Sequence, residues 1–591
     1  MRVLLIQPED SADRGPWTTE SWDLLVDLGR SSPRTAARWS NKIHCPLLRV
    51  EDFTRDVEDL RRTSEILSGG DGRLLDCEEM DWWNLYCLDI LQEAASVLAL
   101  ERMAAEISRP MALWSTRPGR VASIFARVLS SPLHCYGNNF VAPNAKRILQ
   151  YVRLLRHFSP AQLKEIFLDK YDATYRWRAR FARSLQAYGK PVVLIPSAYT
   201  NVSRVSSAYA KLLPEQTFLL VATRRSAKVF DATGNVIVRE LGSYAEICSP
   251  RRELEQILQK WTSLSLELEA NLELVRLRRL GLFEQFPATI AQGLSVRDAW
   301  RRVFERERVC GVLCGDDTNV NTRIPVLLAS RRDIPTLDFH HGAMDGFYLA
   351  KRLCCDFYLA KNDLERDYLV RVCRQPADKV VVGAPLNAHS SSFAHPATGD
   401  FPTQKAAIVF FSEPYENVGM RTEEVYGELL PALCAVARQR GYEVVLKLHP
   451  FESVAQRAEV MGRVLPLHDR KLVSLASGPL SENLLSRTWA GVTIESTTVL
   501  DCVERGIPCF ICEWLSFSPF GYVQQYAKFA AGYLLRSADE ISQLPHQVAK
   551  HKDETRERQA LDDGFRSQQI DPQLLAQLLG AESTQPVARS A

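Results

Sequence analysis

Short apolar runs rich in β-branched residues alternate with longer amphipathic stretches along the whole chain, and few folds accommodate that pattern. A short buried run flanked by helix-period segments needs crossover connections, so the expected sheets are parallel, with helices on both faces. A first set comprises "RVLLIQP" (2–8), "DLLVDLG" (23–29), "CPLLRVED" (45–52) and "MALWST" (111–116). Helical periodicity then dominates 144–189, with Ser159-Pro160 read as an N-cap and first turn. A second set runs from "KPVVLIPS" (190–197) through "TFLLVATR", "NVIVREL", "RVCGVLCGDD", "PTLDFHHG" and "CDFYLAKN" to "KVVVGAP" (379–385). One long helix is expected inside it, from Ser249-Pro250 to about Arg279, because leucines recur there at helical spacing.

"NAHSSSFAHPATGDFPTQK" (387–405) breaks the pattern, since it is rich in Ser, Pro, Ala and Thr without an apolar period, as a linker is. A third set follows: "AAIVFFSEP" (406–414), "EVVLKLHP" (443–450), "KLVSLASG" (471–478), "WAGVTIEST" (489–497), "IPCFICEW" (507–514) and "AGYLLRS" (531–537). The tail from Ser583 has no means of burying itself and is expected to be disordered.

With 591 residues the chain exceeds one core and suits about two to four domains. A net charge of +2 supplies no electrostatic reason for a nucleic-acid partner. "MRVLLIQPED" is too short in apolar residues for a signal peptide, and no segment reaches the ~18 apolar residues of a membrane span. A cytoplasmic location is the expectation. The 14 cysteines form no ligand framework, because Cys509 to Cys512 has metal spacing but lacks a second pair. A buried strand cysteine is the reading there, and also at Cys354-Cys355.

In open parallel sheets, ligands bind at the carboxyl ends of the strands. Several such ends are polar here. "EVVLKLHPFES" stops an apolar run at Lys447 and His449, with Pro450 fixing the turn. "IESTTVLDCVERGIP" places Glu495, Ser496, Thr497 and Thr498 where a strand gives way to a helix. Hydroxyl residues there suit a phosphate, and equally suit plain N-capping. "LDFHHGAMDGFY" brings His340, His341 and Gly342 after another strand, His341 being the better functional candidate and His340 as well suited to a core. "VLCGDDTN" ends a strand with Asp316 and Asp317, which fit either a general base or a capped turn. Ser197, Tyr199, Asn201 and Ser203 follow a further strand as a donor or acceptor loop. Trp82 and Trp83 could stack on sugar rings, although adjacent helical positions put at least one in the core.

The pairing of "KLHP" with a Ser/Thr-rich helix start resembles the C-terminal domain of GT-B glycosyltransferases. The likeness is strongest to the motifs of bacterial sialyl-, polysialyl- and capsule-type Kdo transferases, which use CMP-activated sugars. It is also the layout of teichoic-acid glycerophosphotransferases, which use CDP-glycerol, and the His-Gly after a strand is similar to theirs. The chain departs from the two-serine version, reading Glu-Ser-Thr-Thr from 495 to 498, where related UDP-sugar epimerases carry an acidic-Ser-Gly-Gly start.

The resemblance implies an α/β, GT-B-like fold of two facing Rossmann-type domains (186–390 and 406–550); the first strand set, outside that resemblance, adds an N-terminal α/β domain (1–185), and a C-terminal helix and tail (551–591) follow. It implies an inverting glycosyltransferase of surface-polysaccharide assembly, with a nucleotide-sugar donor and a glycan or lipid-linked acceptor. Lys447, His449, Pro450, Glu495, Ser496, Thr497 and Thr498 would bind the donor, and Asp316, Asp317 or His341 would act as base. No metal, no other cofactor and no nucleic acid are expected, and peripheral association with a membrane is compatible with such an acceptor. A polyol-phosphate transferase, an epimerase and a non-catalytic sugar-binding protein are the alternatives.

Overall fold

A computed structural model describes residues 1–136, 168–341, 355–385, 406–516, 531–551 and 567–581, apart from short breaks within these ranges. The linker at 387–405, Ser159-Pro160, Gly342, Cys354, Pro450 and the tail from Ser583 lie outside the described residues. The chain forms two compact units. One comprises Met1–Asp59, Ala95–Ala142 and Ala394–Arg566, the other Leu60–Ala94, Pro143–Phe393 and Ser567–Ala591.

The strands are, in chain order, β1 (Arg2–Ile6), β2 (Leu24–Asp27), β3 (Leu47–Arg49), β4 (Asp76–Cys77), β5 (Met80–Asp81), β6 (Ala112–Ser115) and β7 (Leu133–Cys135). Next come β8 (Pro191–Ser197), β9 (Phe218–Ala222), β10 (Val236–Glu240), β11 (Arg308–Cys314), β12 (Thr336–Phe339), β13 (Phe357–Ala360) and β14 (Val380–Val382). The last are β15 (Ala407–Phe411), β16 (Glu443–Lys447), β17 (Val473–Ala476), β18 (Thr488–Thr493), β19 (Cys509–Cys512) and β20 (Gly532–Leu535). Every apolar run of the sequence overlaps one of them. The short β7 and the β4–β5 hairpin carry no such run and were not anticipated.

Three sheets result, ordered β3-β2-β1-β6-β7, β10-β9-β8-β11-β12-β13-β14 and β17-β16-β15-β18-β19-β20. Their ladders are parallel throughout, for example β15 on β16 and β18, β8 on β11 and β1 on β2 and β6. The fold is α/β. In each sheet the strand order reverses beside the first strand of its set, at β1/β6, β8/β11 and β15/β18, which places a topological switch point there.

β15 shows why these runs become central strands. All five residues, "AIVFF", are buried, as covering on both faces requires. The helix Thr422–Arg440 covers part of this sheet with Val425, Leu429, Leu433 and Val436. Glu423 and Glu424 open it, Arg438 and Arg440 close it, and Gly441 ends it in the left-handed region at φ 71°.

In the second unit the C-terminal helix Pro572–Leu578 inserts Leu575 and Leu578 into the core of the seven-stranded sheet, joined by Ile570 and Leu579. The approach is so close that a Cβ on Gly311 would lie 2.1 Å from the Leu579 carbonyl oxygen. The long helix expected from 249 to 279 is instead two, Arg251–Glu267 and Leu272–Arg279. Asn271 caps the second by accepting the N–H groups of Glu273 and Leu274, and its side chain competes with helix continuation as Asn does. Trp82 and Trp83 are both core residues, 1% and 4% exposed. Trp83 lies against Trp261 and Phe283 and donates its indole N–H to Leu67, which leaves neither ring face for a sugar. Cys509 and Cys512 are free, buried thiols on β19. No described helix is long and apolar enough to cross a membrane.

Candidate functional site

The register of the six-stranded sheet brings three chain segments out side by side. Phe411 at the end of β15 pairs with Lys447 of β16 on one side and Thr493 of β18 on the other. Ser412-Glu413, Leu448-His449 and Ile494-Glu495 therefore leave the same carboxyl edge, at the switch point. His449 and Glu495, 46 positions apart in sequence, are brought to one end of one sheet.

Lys447 is buried, and its ammonium donates to the carbonyls of Leu448 (3.0 Å) and Gly478 (2.7 Å). It ties the strand end to the loop after β17. Desolvation lowers its pKa, opposed by the nearby Glu452 carboxylate. His449 is half-buried, and desolvation, then the charge of Lys447, pushes its pKa below the ordinary value, so the imidazole is neutral at pH 7. Its backbone is held twice by Glu452. The His449 N–H donates to Oε2 at 2.7 Å, and the Glu452 N–H donates back to the His449 carbonyl at 2.9 Å.

Glu495 is buried, accepts Ser516 Oγ at 2.5 Å, and donates its N–H to Glu413 Oε2 at 3.0 Å. Glu413 keeps part of its surface exposed, yet burial of its carboxyl, then the charges of Glu495 and Glu452, raise its pKa to about 8. At neutral pH this carboxyl is protonated and can donate a hydrogen bond. The hydroxyls at the start of the helix Thr498–Val503 are engaged locally. Ser496 Oγ accepts the Thr498 N–H (3.4 Å) and its hydroxyl (2.9 Å), and the Ser496 N–H donates to Thr493 Oγ1. That is N-capping geometry, and Thr497 sits half-buried beside it.

In the second unit, Asp316 and Asp317 follow β11 at its switch point. Asp316 Oδ1 accepts the Thr318 hydroxyl at 2.7 Å, and its carbonyl accepts that of Thr322. Asp317 is fully buried, with the guanidinium of Arg323, also buried, 4.0 Å away. Both aspartates thus serve the turn into the helix Val320–Ser330, capped by Asn319. His341 bonds through Nδ1 to the carbonyl of Gly315. A carbonyl only accepts, so Nδ1 carries the proton and Nε2 of the neutral ring keeps its lone pair. Of the three candidate bases, His341 has the tautomer a base needs. Ser197 and Ser203 are buried and bonded to each other at 2.8 Å, and Tyr199 accepts from Asn319 and Arg224.

Asp317, Asp338 and Cys355, all buried, each bring a ligand-type atom within 4.8 Å of the others. Arg323 already supplies positive charge beside Asp317, and three ligands fall short of a closed tetrahedral set, so no metal is assigned.

Sequence reading passed over Glu413, Glu452 and Arg457. Glu413 lies two residues past the end of β15 and Glu452 three residues after His449, so strand-end position was the available signal.

No protein-family model and no curated protein matches the chain. Among solved structures, the UDP-GlcNAc 2-epimerase from Neisseria meningitidis bound to UDP-GlcNAc is similar at 12% identity and TM-score 0.41, over 66% of this chain and 99% of that one. A glycosyltransferase from Rickettsia africae matches at 12% identity and TM-score 0.41, over 64% and 95%. The wall teichoic acid polymerase TagF matches at 12% identity and TM-score 0.38, over 73% and 97%. Likeness this loose assigns no activity.

Proposed function

We propose that the chain is a glycosyltransferase that moves a sugar from a nucleotide-activated donor, with a CMP-sugar favoured, to a glycan acceptor in surface-polysaccharide synthesis. The observation that carries the reading is the convergence of His449, Glu495 and Glu413 at the switch point of the six-stranded sheet. His449 takes the phosphate of the donor, gaining a proton as it does so. Lys447 contributes its field and one remaining N–H, because two of its three N–H groups are directed to carbonyls. Glu495 and the protonated Glu413 suit ribose hydroxyls, one accepting and the other donating. Ser496, Thr497 and Thr498 shape the wall beside them, and Pro450 completes the donor-binding set. Proton acceptance from the acceptor falls to His341, with Asp316 and Asp317 holding the neighbouring turn. The reaction needs no metal in this scheme and inverts the anomeric centre.

A thermal-shift panel of CMP, CDP, UDP and GDP tests the reading. A rise in melting temperature with CMP above the others is expected. A CDP preference points to polyol-phosphate transfer and a UDP preference to epimerase chemistry. No shift with any nucleotide overturns donor binding.

A further inference from the structure

The side chain of Glu452 is fully buried, and three donors converge on its carboxylate. His449 N–H reaches Oε2 at 2.7 Å, while Ser412 Oγ (2.8 Å) and Arg457 Nε (2.7 Å) reach Oε1. Ser412 gives its only proton to Glu452, so the Tyr426 hydroxyl, 2.8 Å away, donates to Ser412. Arg457 is itself held by Glu416 at 2.7 and 2.9 Å and bonds Thr422 Oγ1 at 2.9 Å. One carboxylate thus joins the ends of β15 and β16 to the helices Val454–Val464 and Thr422–Arg440. Burying a charge for stability alone is poorly rewarded, since an apolar cluster does as well. What this arrangement adds is direction: the N–H and the carbonyl of His449 are both closed on Glu452, which fixes the backbone that aims its side chain.

We propose that Glu452 is a positioning residue that fixes the imidazole of His449 toward the donor phosphate. The proposal deepens the donor-site reading and rests on it for its functional consequence. Displacements near 1 Å at such a group cost orders of magnitude. An amide at 452 has one acceptor oxygen for three donors, so Glu452→Gln must release at least one of them.

Selective histidine labelling resolves His449 among the 11 histidines without any ligand. In Glu452→Gln the His449 ring resonances and their titration midpoint should move, while those of His44 and His134 stay. Affinity for the nucleotide selected by the panel should fall about tenfold or more in Glu452→Gln and in His449→Ala. The double variant should be no weaker than His449→Ala alone, because there is no imidazole left to misplace. Unmoved His449 resonances, or additive losses in the double variant, overturn the positioning role. Moved resonances with unchanged affinity in His449→Ala leave the positioning intact and overturn the donor reading. Should Glu452→Gln fail to fold, Glu452→Asp keeps the charge but withdraws it from the His449 N–H, and the same cycle is read with it.

Discussion

At the scale of single residues, the candidate site is governed by desolvation. His449 is neutral when free because burial and Lys447 both oppose its charge. If it pairs with a phosphate, the bound state restores that charge and binding takes up a proton. Nucleotide affinity should therefore increase as pH falls from about 7 to about 5, and calorimetry in buffers of different ionisation enthalpy should register the uptake. A pH-independent affinity with no uptake would remove His449 from the phosphate. His449→Ala should lower affinity by about 1.5–3 kcal/mol, the worth of a charge-assisted hydrogen bond, with little change in melting temperature. A large drop in melting temperature with undiminished affinity of the folded fraction would make the histidine structural. Glu413 behaves oppositely in stability. Its folded pKa, about 8, lies above the ordinary 4.5, so ionisation is penalised only in the native state. Stability should be highest near pH 5 and fall as pH rises through 8. Glu413→Gln should flatten that slope, a difference on the order of 2 kcal/mol at pH 9, read by urea titration at several pH values.

At the scale of elements, the start of the helix Thr422–Arg440 is anchored from a distant part of the sequence. Arg421, just before it, is buried and bonds Asp27 of β2 through both terminal nitrogens, at 2.9 and 3.1 Å, while also donating to the carbonyl of Gln7 and to Ser31. These partners sit at the carboxyl edge of the five-stranded sheet, the edge that would otherwise receive a ligand. Here a guanidinium fills it. Arg421→Met should strand the Asp27 carboxylate and cost about 3–5 kcal/mol, whereas Arg421→Met with Asp27→Leu should recover most of that loss. Equal destabilisation in the single and double variants, measured by denaturant unfolding, would show that packing of the arginine stem matters and its charge does not. Next to it, Glu424 has its pKa raised to about 7 by burial, opposed by Arg421, so it adds a second, smaller loss of stability as pH rises from about 4.5 to about 7.

At the scale of the whole molecule, each unit is assembled from segments far apart in sequence. The second unit closes with the chain's last described helix. Ile570, Leu575 and Leu579, at most 1% exposed, complete the core of its sheet, and a bridge joins Ala384 to Gln569. Deleting 567–591 should therefore lower the unfolding transition of this unit by several degrees and leave that of the other unchanged, with two transitions resolved by calorimetry. Gly311→Ala should act in the same direction, since the added methyl would strike the Leu579 carbonyl. A single, unshifted transition in the truncated protein would show that the helix merely rests on the surface.

The sequence by itself determined most of the strands. Apolar runs of four to seven residues and helix-period stretches specify parallel α/β sheets because both signals are local: a strand buried on two faces needs a run such as "AIVFF" wherever it later lies. It also placed His449 and Glu495 at strand ends, because the end of an apolar run is visible in the run. The break at Asn271 escaped, since leucine spacing continues across a cap that acts through hydrogen bonds. What only tertiary structure decided is where each buried polar group finds its partner. Lys447 turned out to face carbonyls, Glu452 to hold His449 and Arg457 together, and Arg421 to reach Asp27 across 394 positions. A buried charge is stable only beside particular donors or acceptors, and nothing in its local sequence states which strand or helix will bring them.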